Sequence, residues 1–411
     1  MLVFRGAGCV DPMKQPWEHP AEKCARCGSC TVVCPVFRVD GRESMTARGK
    51  MHLVLSPLAD HASKTFENLF SQCLLCGACE QVCPRHLPIV DIVSEARSRF
   101  SAFYGQAGLQ KAAARNVLSR PALLDALVRA GIRLKNLHTL PLNSGLRFKL
   151  GLLEDRSAIA SVACLESEQA GDVSYFTGCL ARYLQPSVMA ATRQLLSGCH
   201  LFCVIPEQQQ CCGLAAWSAG KREEARQQAR KNIEAFAGSS KPILTSCASC
   251  SSHLYSYPNL FEQDDPWHER AVAFAERVQE FTQFFNARLA ESTEDKRQKK
   301  VYYHDPCHLK FTPQGRKNPR ELLRRQGIQV VESEQGGGCC GQGGLFHLAY
   351  PETSAKIFLK NAKTALAKHP ECVTTTCSGC LMQYQEGFAR LGEETQVVHL
   401  ALLLAGFRDT E

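Results

Sequence analysis

The sequence predicts a multidomain α+β protein, in which a helical N-terminal domain precedes two repeated α/β domains that are each built on a parallel sheet. Three observations lead to this prediction. The chain has 411 residues, of which 45% are apolar, enough for two or three hydrophobic cores. Most of its 23 cysteines fall in tight groups. The second half of the chain also repeats its own pattern of strands, helices and cysteines at a nearly constant offset.

Five segments follow one another along the chain. Residues 1–20 are polar and contain proline, which predicts an extended arm, and residues 21–95 hold two cysteine runs. Residues 96–170 predict a helical connector, and helices are expected over 90–104, 109–118 and 121–134. The two repeats span 171–298 and 299–411, and the charged stretch 291–300 is the expected linker between them.

The repeats align on their cysteines. Cys179, Cys211 and Cys212 correspond to Cys307, Cys339 and Cys340 at an offset of 128 residues, and Cys247 and Cys250 correspond to Cys377 and Cys380 at an offset of 130. Strand-like runs such as 173–176 and 242–245 alternate with helical stretches such as 222–236, which favours a parallel sheet in each copy. Such sheets place their ligands at the carboxyl ends of the strands, so the cysteines of each repeat are expected to gather there.

The N-terminal cysteines have the spacing of bacterial [4Fe–4S] sites. The two runs are Cys24, Cys27, Cys30 and Cys34, followed by Pro35, and Cys73, Cys76, Cys79 and Cys83, followed by Pro84. In two-cluster proteins the fourth cysteine of each run binds the other cluster. We therefore predict one cubane cluster on Cys24, Cys27, Cys30 and Cys83, and a second on Cys73, Cys76, Cys79 and Cys34. Structural zinc is the alternative, but a tetrahedral site has no use for a third cysteine and a Cys-Pro in each run.

The segment between the two runs is longer than a minimal two-cluster ferredoxin requires. Helices are expected at 51–55 and 62–70, which indicates a helical ferredoxin-like domain.

Each of the later repeats has five cysteines, including a Cys-Cys-Gly motif whose glycine permits close approach of the backbone to a ligand. Five thiolates exceed the needs of a tetrahedral metal and predict a multinuclear iron site. A vestigial or zinc-loaded site is the alternative for the first repeat.

Five segments carry a resemblance to a known family: Ala47–Lys50, Phe176–Cys179, Tyr303–His308, Gly338–Gly341 and Thr376–Gln383. Over residues 21–400 the chain resembles the iron–sulfur subunit of glycolate oxidase and of related D-lactate dehydrogenases. Each repeat resembles the cysteine-rich CCG domain of the heterodisulfide reductase family. The iron–sulfur subunit of anaerobic glycerol-3-phosphate dehydrogenase shares the layout.

The resemblance implies a non-cubane [4Fe–4S] cluster in each complete repeat, and thus one or two such clusters in the chain. The ligands would be Cys179, Cys211, Cys212, Cys247 and Cys250 in the first repeat, and Cys307, Cys339, Cys340, Cys377 and Cys380 in the second. Both sets are intact, which favours the lactate-type and disulfide-reducing branches over a strict glycolate assignment.

The expected function is electron transfer in a flavin-dependent 2-hydroxy-acid dehydrogenase complex. A separate FAD-linked subunit would oxidise D-lactate or glycolate, and this chain would pass the electrons to a quinone or another carrier. No phosphate loop or dinucleotide fingerprint is present, so the flavin is expected in that partner. The alternatives are a subunit that reduces a disulfide at the CCG sites, the subunit of a glycerol-3-phosphate dehydrogenase, and a zinc-loaded interaction protein.

Three residues near Cys307 are candidates for moving protons. Asp305 and His308 flank this cysteine, and His304 is a third candidate. The alternative role is hydrogen bonding that tunes a neighbouring cluster.

Five further cysteines lie outside every motif and are expected to pack as small apolar side chains: Cys9, Cys164, Cys199, Cys203 and Cys372.

Charge and hydropathy bear on location and partners. The formal net charge of +8 is offset by cluster-bound thiolates, so no nucleic-acid partner is expected. No run of 18 apolar residues and no signal peptide is visible, which predicts a cytoplasmic chain. Residues 105–150 carry eight Lys or Arg and one acid, a pattern typical of a peripheral contact with a membrane or partner, or of a solvated helix face.

Overall fold

The structure is a computed structural model that describes residues 19–56, 63–101, 104–136, 153–154, 171–291, 300–332 and 337–406. The arm (1–20) except its last two residues, most of the linker, part of the connector, Cys9 and Cys164 lie outside the described residues. The N-terminal and connector helices span Ser29–Val33, Phe37–Asp40, Ala47–Val54, Lys64–Ser71, Ala78–Gln81, Ile89–Ser98, Gly108–Leu118 and Pro121–Asn136. Short 3-10 turns cover Pro20–Lys23, Glu43–Met45 and Tyr257–Leu260.

The N-terminal domain is helical, as predicted. Thr46 and Ser63 begin two of its helices, and their hydroxyl oxygens accept the Gly49 and Phe66 backbone N–H groups at 3.0 and 3.2 Å. The helix expected over 90–104 is shorter than predicted, because it ends at Ser98. Phe100 and Tyr104 beyond it turn into the domain core, where Phe100 packs edge-on against Phe66 and Phe70. Burial of these aromatic side chains outweighs continuation of the helix.

Each repeat forms a four-stranded parallel sheet, as the alternation of strands and helices predicts. The strands are β1 (Val173–Phe176), β2 (Cys203–Val204), β3 (Ile243–Thr245) and β4 (Val278–Glu280) in the first repeat, and β5 (Lys300–Tyr303), β6 (Gln329–Val331), β7 (Cys372–Thr375) and β8 (Gln396–His399) in the second. The spatial orders are β2-β1-β3-β4 and β6-β5-β7-β8. The fourth strand of each copy was not predicted, because runs of three or four residues carry too little pattern.

Helices cover both sheets. In the first repeat they span Gly178–Tyr183, Pro186–Gly198, Leu214–Ser218, Arg222–Ala235, Ala248–Tyr255, Pro266–Arg277 and Phe281–Asn286. In the second they span Cys307–Lys310, Lys317–Arg325, Phe346–Ala349, Pro351–Leu366, Ser378–Leu391 and Leu400–Ala405. In each sheet the central pair is β1/β3 or β5/β7. From the first strand of this pair the chain moves to one edge of the sheet, and from the second strand it moves to the other edge. The carboxyl ends of that pair are the switch point at which parallel α/β sheets bind ligands.

The two repeats share one interior. The Ala248 N–H donates to the Thr376 carbonyl at 2.8 Å, and His399 Nε2 donates to the Ser246 carbonyl at 2.9 Å. Burial lowers the pKa of His399 to about 4, so this ring is neutral at pH 7. Apolar side chains from both sheets form common clusters, in which Phe281 of the first repeat meets Leu400 of the second. The sites at the two switch points are therefore held in a fixed relation to each other.

Some of the basic side chains of the connector are buried, although the sequence pattern suggests a basic surface. Lys111 and Arg115 point inward and are 8% and 7% exposed, and Arg115 pairs with Glu224 at 2.7 Å. Arg129 and Arg133 are exposed, whereas residues 147 and 149 lie outside the described part of the chain. Among the helices that the structure describes, none combines the length and apolar character that a membrane span needs.

Candidate metal centres

The eight N-terminal cysteines line two separate cavities. Cys24, Cys27, Cys30 and Cys83 line the first, called site A. Cys34, Cys73, Cys76 and Cys79 line the second, called site B. Each cavity thus combines three cysteines of one run with the fourth of the other, which are the two sets that the sequence predicts as ligands.

The backbone of the two cysteine loops is matched residue by residue. Arg26 and Leu75, each just before the second cysteine of its run, have φ of 53°. Gly28 and Gly77, each just after that cysteine, have φ of 84° and 72°. Alternation between right- and left-handed backbone directs successive N–H groups to one side and creates concave anion sites, including iron–sulfur sites. Four thiols around such a loop are a donor set that fits a [4Fe–4S] cluster.

Sites A and B differ in exposure and charge. At site A, Cys27 is exposed, and Arg48 is paired with Glu43 at 2.6 Å on the surface. At site B, the cavity wall includes Lys50, which is 1% exposed and donates to the Met45 carbonyl at 2.7 Å. Burial lowers the pKa of Lys50, and the nearby thiols of site B act in the opposite direction. A buried ammonium therefore faces site B, and its natural counter-charge is a cluster with anionic ligands.

A second buried cation supports site B from behind. Arg97 is 5% exposed and has no carboxylate partner among its hydrogen bonds. It donates to the carbonyls of Phe70, Ser71 and Cys73 in the N-terminal domain. It also donates to the Ser218 carbonyl of the first repeat at 2.6 Å. Arg97 thus fixes Cys73 of site B and attaches the N-terminal domain to the first repeat.

The five predicted thiols of each repeat come together at the sheet's switch point. Site C contains Cys179, Cys211, Cys212, Cys247 and Cys250, and site D contains Cys307, Cys339, Cys340, Cys377 and Cys380. The Cys179 and Cys211 sulfurs of site C are 3.8 Å apart. The Cys340 and Cys380 sulfurs of site D are 3.4 Å apart. The remaining members of each site are linked by further thiol–thiol contacts.

Thiol–thiol hydrogen bonds separate the pKa values within these sites. Bonds from Cys179 and Cys212 hold the pKa of Cys211 well below its ordinary value. Bonds from Cys307 and Cys340 do the same for Cys339. In site D, bonds from Cys247 and Cys380 also hold the pKa of Cys377 well below its ordinary value. The first cysteine of each Cys-Cys-Gly motif is therefore among the thiols that ionise readily, which suits it to bind iron.

An asparagine clamps the Cys-Cys-Gly loop in each repeat. In the first, Asn232 accepts the Gln210 N–H at 2.7 Å and donates to the Cys211 carbonyl at 3.1 Å. In the second, Asn361 accepts the Gly338 N–H at 2.8 Å and donates to the Cys339 carbonyl at 2.7 Å. Neither asparagine was predicted from the sequence. The signal was available, because the two asparagines are 129 residues apart, between the offsets of 128 and 130 that relate the cysteines.

Each repeat site also has a buried histidine, but at a different position. His304 places a ring nitrogen within 4.8 Å of the Cys340 and Cys380 sulfurs, and the first repeat has Phe176 at the equivalent position. His253 was not predicted from the sequence; it lies three residues after Cys250 and has no hydrogen-bond partner at Nε2. Burial lowers the pKa of both rings, to about 4 for His253. Sites C and D therefore have the same thiols and different imidazole neighbours.

Asp305 and His308, the other residues proposed to move protons, both have hydrogen-bond partners within the protein. The Asp305 carboxylate is 2% exposed and forms a two-point ion pair with Arg320 at 2.8 and 2.9 Å. His308 Nδ1 lies 2.9 Å from Ser249 Oγ, which in turn lies 3.1 Å from the Cys377 sulfur. Asp305 is thus placed to anchor the loop before Cys307, whereas the hydroxyl between His308 and Cys377 links the two repeats.

The sites form a continuous series. Ala47 and Ile89 line both site A and site B. Cys76 of site B and Cys339 of site D pack against one apolar cluster, and Cys76 and Cys307 line one cleft. Cys247 of site C and Cys377 of site D are in direct contact. The order in space is therefore A, B, D and then C.

The cysteines outside the motifs are apart from these sites where the structure describes them. Cys199 is half-buried beside the first sheet, Cys203 is half-buried in β2, and Cys372 is buried in β7. Burial raises the pKa of Cys199 and of Cys203. They pack as small apolar side chains.

Comparison with known proteins supports the iron–sulfur interpretation. The family "4Fe-4S dicluster domain" matches residues 20–87, and the family "Cysteine-rich domain" (CCG) matches residues 173–255 and 301–385. A probable glycolate oxidase iron-sulfur subunit of Bacillus subtilis is 33% identical over 246 residues. That match covers 56% of this chain and 54% of the relative, so it spans about half of each protein.

Two further relatives are matched over nearly their whole length. Lactate utilization protein A 2 of Bacillus cereus is 30% identical over 236 residues, which is 57% of this chain and 97% of the relative. Lactate utilization protein A of Shouchella clausii is 31% identical over 237 residues, 57% of this chain and 98% of the relative. With both cysteine-rich repeats and the dicluster domain in place, the chain belongs to the family of iron–sulfur proteins that includes these glycolate oxidase subunits and lactate utilization proteins.

Proposed function

We propose that this chain is the electron-transfer subunit of a complex that oxidises a 2-hydroxy acid, D-lactate or glycolate. A separate FAD-linked subunit would carry out the oxidation, and this chain would conduct the electrons to a quinone or another carrier. The observation that carries the proposal is the series of sites A, B, D and C, whose neighbouring members share walls or touch through their cysteines. Relatives named for glycolate oxidase and lactate utilization support the substrate class.

Four groups of thiols would hold the metal. Sites A and B each offer four cysteines to a cubane [4Fe–4S] cluster, and sites C and D each offer five to a non-cubane cluster. When bound, such clusters accept and release single electrons, at potentials set by charge, hydrogen bonds and solvent exposure. The protein itself would supply the spacing and the electrostatic environment.

One side of the junction between sites B and D is packed with apolar side chains. Val36, Met45 and Leu74 of the N-terminal domain pack with Phe346 and Ile357 of the second repeat in one buried cluster. Exclusion of water from this side lowers the local dielectric constant and limits reaction of reduced iron with solvent species there. The contact is therefore suited to direct exchange of electrons between the two halves of the chain.

The proposal is tested by purifying the tagged chain anaerobically from its own cells and identifying its partners by mass spectrometry. A stoichiometric FAD-linked oxidase is expected, and D-lactate or glycolate should bleach the visible iron–sulfur absorption of the complex. A b-type cytochrome or a hydrogenase as the main partner, with no flavin oxidase, would rule the proposal out.

One observation favours a second candidate function, reduction of a disulfide. The contact between Cys247 and Cys377 puts sites C and D side by side, and the Ser249 hydroxyl and the His308 ring lie at that contact. Two one-electron centres at one place are suited to two-electron cleavage of an S–S bond. Stoichiometric formation of two thiols from a small disulfide, driven by the reduced protein, would support this function, and absence of turnover would exclude it for that disulfide.

A further inference from the structure

A cleft opens between the N-terminal domain and the second repeat. Its volume is about 250 Å³, close to the lower end of the range for small-molecule pockets. Cys76 of site B and the Cys307 and Cys339 thiols of site D lie along it. Val39 of the N-terminal domain and Phe311 of the second repeat contribute apolar wall. A molecule in this cleft would contact two neighbouring metal sites at once.

Comparison with the first repeat shows that five thiols at a switch point do not by themselves create a cleft of this size. Its equivalent position, at Cys179 and Cys211, has a cavity of only about 10 Å³, which is hardly enough for one water. Leu118 and Pro121 of the connector line that cavity, and Leu124 and Val128 of the connector pack in one cluster with Tyr183 nearby. The same donor set is therefore covered in site C and accessible in site D.

The accessible cleft is cationic among its described residues. Arg38, Lys310 and Lys360 line it, and Lys310 uses one of its three N–H donors on the Gly337 carbonyl at 2.6 Å. Asp305 is the acid among the described lining residues, and Arg320 already neutralises it. Positive side chains beside an apolar wall favour a ligand that combines negative charge with an apolar body, and the aromatic ring of Phe311 in that wall favours a flat one.

We propose that this cleft binds a small organic anion with a flat apolar body, in contact with sites B and D. The inference rests on the proposed function only in taking those sites to be loaded with iron–sulfur clusters. Lys310 and Lys360 would hold the anionic group, while Val39 and Phe311 would pack against the flat body. The cleft would then be the place where a diffusible redox partner meets the chain.

The test uses the oxidised, cluster-loaded full-length chain and measures binding by anaerobic calorimetry. The probe is anthraquinone-2-sulfonate, and the neutral comparison is 2-hydroxymethylanthraquinone, which has the same ring system. The variants are Lys310→Met with Lys360→Met, and the matched control is Arg182→Met, which alters the residue equivalent to Lys310 at the covered site. Iron content and the visible spectrum establish that each variant holds its clusters.

We expect one sulfonate probe per chain, at least tenfold weaker binding of the neutral compound, and at least tenfold weaker binding of the sulfonate to the double variant. The control should bind like the unaltered chain, and added salt should weaken binding. Equal affinity for both compounds, no measurable binding of the sulfonate, or an equal loss in the control would overturn the inference. Because no partner or substrate is present, these outcomes do not depend on whether the chain serves lactate or glycolate oxidation.

Discussion

Replacing Lys50 with methionine is expected to lower the reduction potential of a cluster held at site B. The Lys50 ammonium lines this cavity, is 1% exposed, and donates to the carbonyls of Met45 and Ser44 at 2.7 and 3.3 Å. Reduction adds a negative charge at the site, so a nearby fixed positive charge stabilises the reduced form. Its removal shifts the equilibrium toward the oxidised form.

The size of the shift follows from the position of the charge. For a charge on the cavity wall, a separation of roughly 7 Å and an effective dielectric constant of about 20 give about 2 kcal/mol. At 1.36 kcal/mol per tenfold change this is roughly a 30-fold change in the equilibrium constant. At 59 mV per tenfold for one electron, the potential should fall by about 90 mV.

The assay is a redox titration followed by electron paramagnetic resonance, which separates the signals of the individual clusters. Arg48→Met is the matched control, because Arg48 lies beside site A but is 34% exposed and already paired with Glu43. Solvent screening should keep its effect below about 20 mV. Lys50→Met removes the ammonium donor from the Ser44 and Met45 carbonyls, so unfolding of both variants is measured alongside.

Two results would refute this reasoning. One is an unchanged site B potential in a Lys50→Met protein that retains all its iron. The other is an equal shift at site A, which would indicate a general change in folding or solvent access instead of a local charge effect.

Three further predictions concern ligand pairing, loop support and pH. Cys83→Ala should abolish the signal of site A and spare that of site B, and Cys34→Ala should do the reverse; the opposite pattern in resonance spectra and iron content would disprove the crossed pairing. Asn361→Leu should lower the free energy of unfolding by about 2–4 kcal/mol, since it leaves a backbone donor and acceptor unpaired, and should deplete iron at site D; Asn232→Leu should deplete site C instead, and unchanged iron in either would contradict the clamp. Burial raises the pKa of Glu280 from 4.5 to about 7, so its contribution to stability is lost as the pH rises through this window. Glu280→Gln should therefore become more stable relative to the unaltered chain between pH 4.5 and 7, by up to about 3 kcal/mol in thermal unfolding, and a difference that does not vary with pH would contradict the assignment.

Much of the architecture could be predicted because its signals are local in the sequence. The spacing of cysteines within each N-terminal run identifies a cluster motif without reference to the rest of the chain, and the alternation of strands and helices indicates a parallel sheet. The repeat was visible because Cys211 and Cys339 keep their offset, and the same comparison would have exposed Asn232 and Asn361. Helix ends were less certain. The packing of Phe100 and Tyr104 into the core ended a helix that the local pattern would have continued.

The sequence by itself determined the kinds of site in this protein, since thiols at short fixed spacing can converge on a metal in few ways. Only the tertiary structure decided how those sites differ and which of them are neighbours. Lys50 is near Cys34 and Cys73 in space because segments that are distant in the chain meet at site B, and no local pattern reports the burial of a charge. The contact of Cys247 with Cys377 joins residues 130 positions apart, and the connector covers site C while site D stays accessible. Such differences depend on which surfaces pack together, and packing between distant segments has no signature within either segment alone.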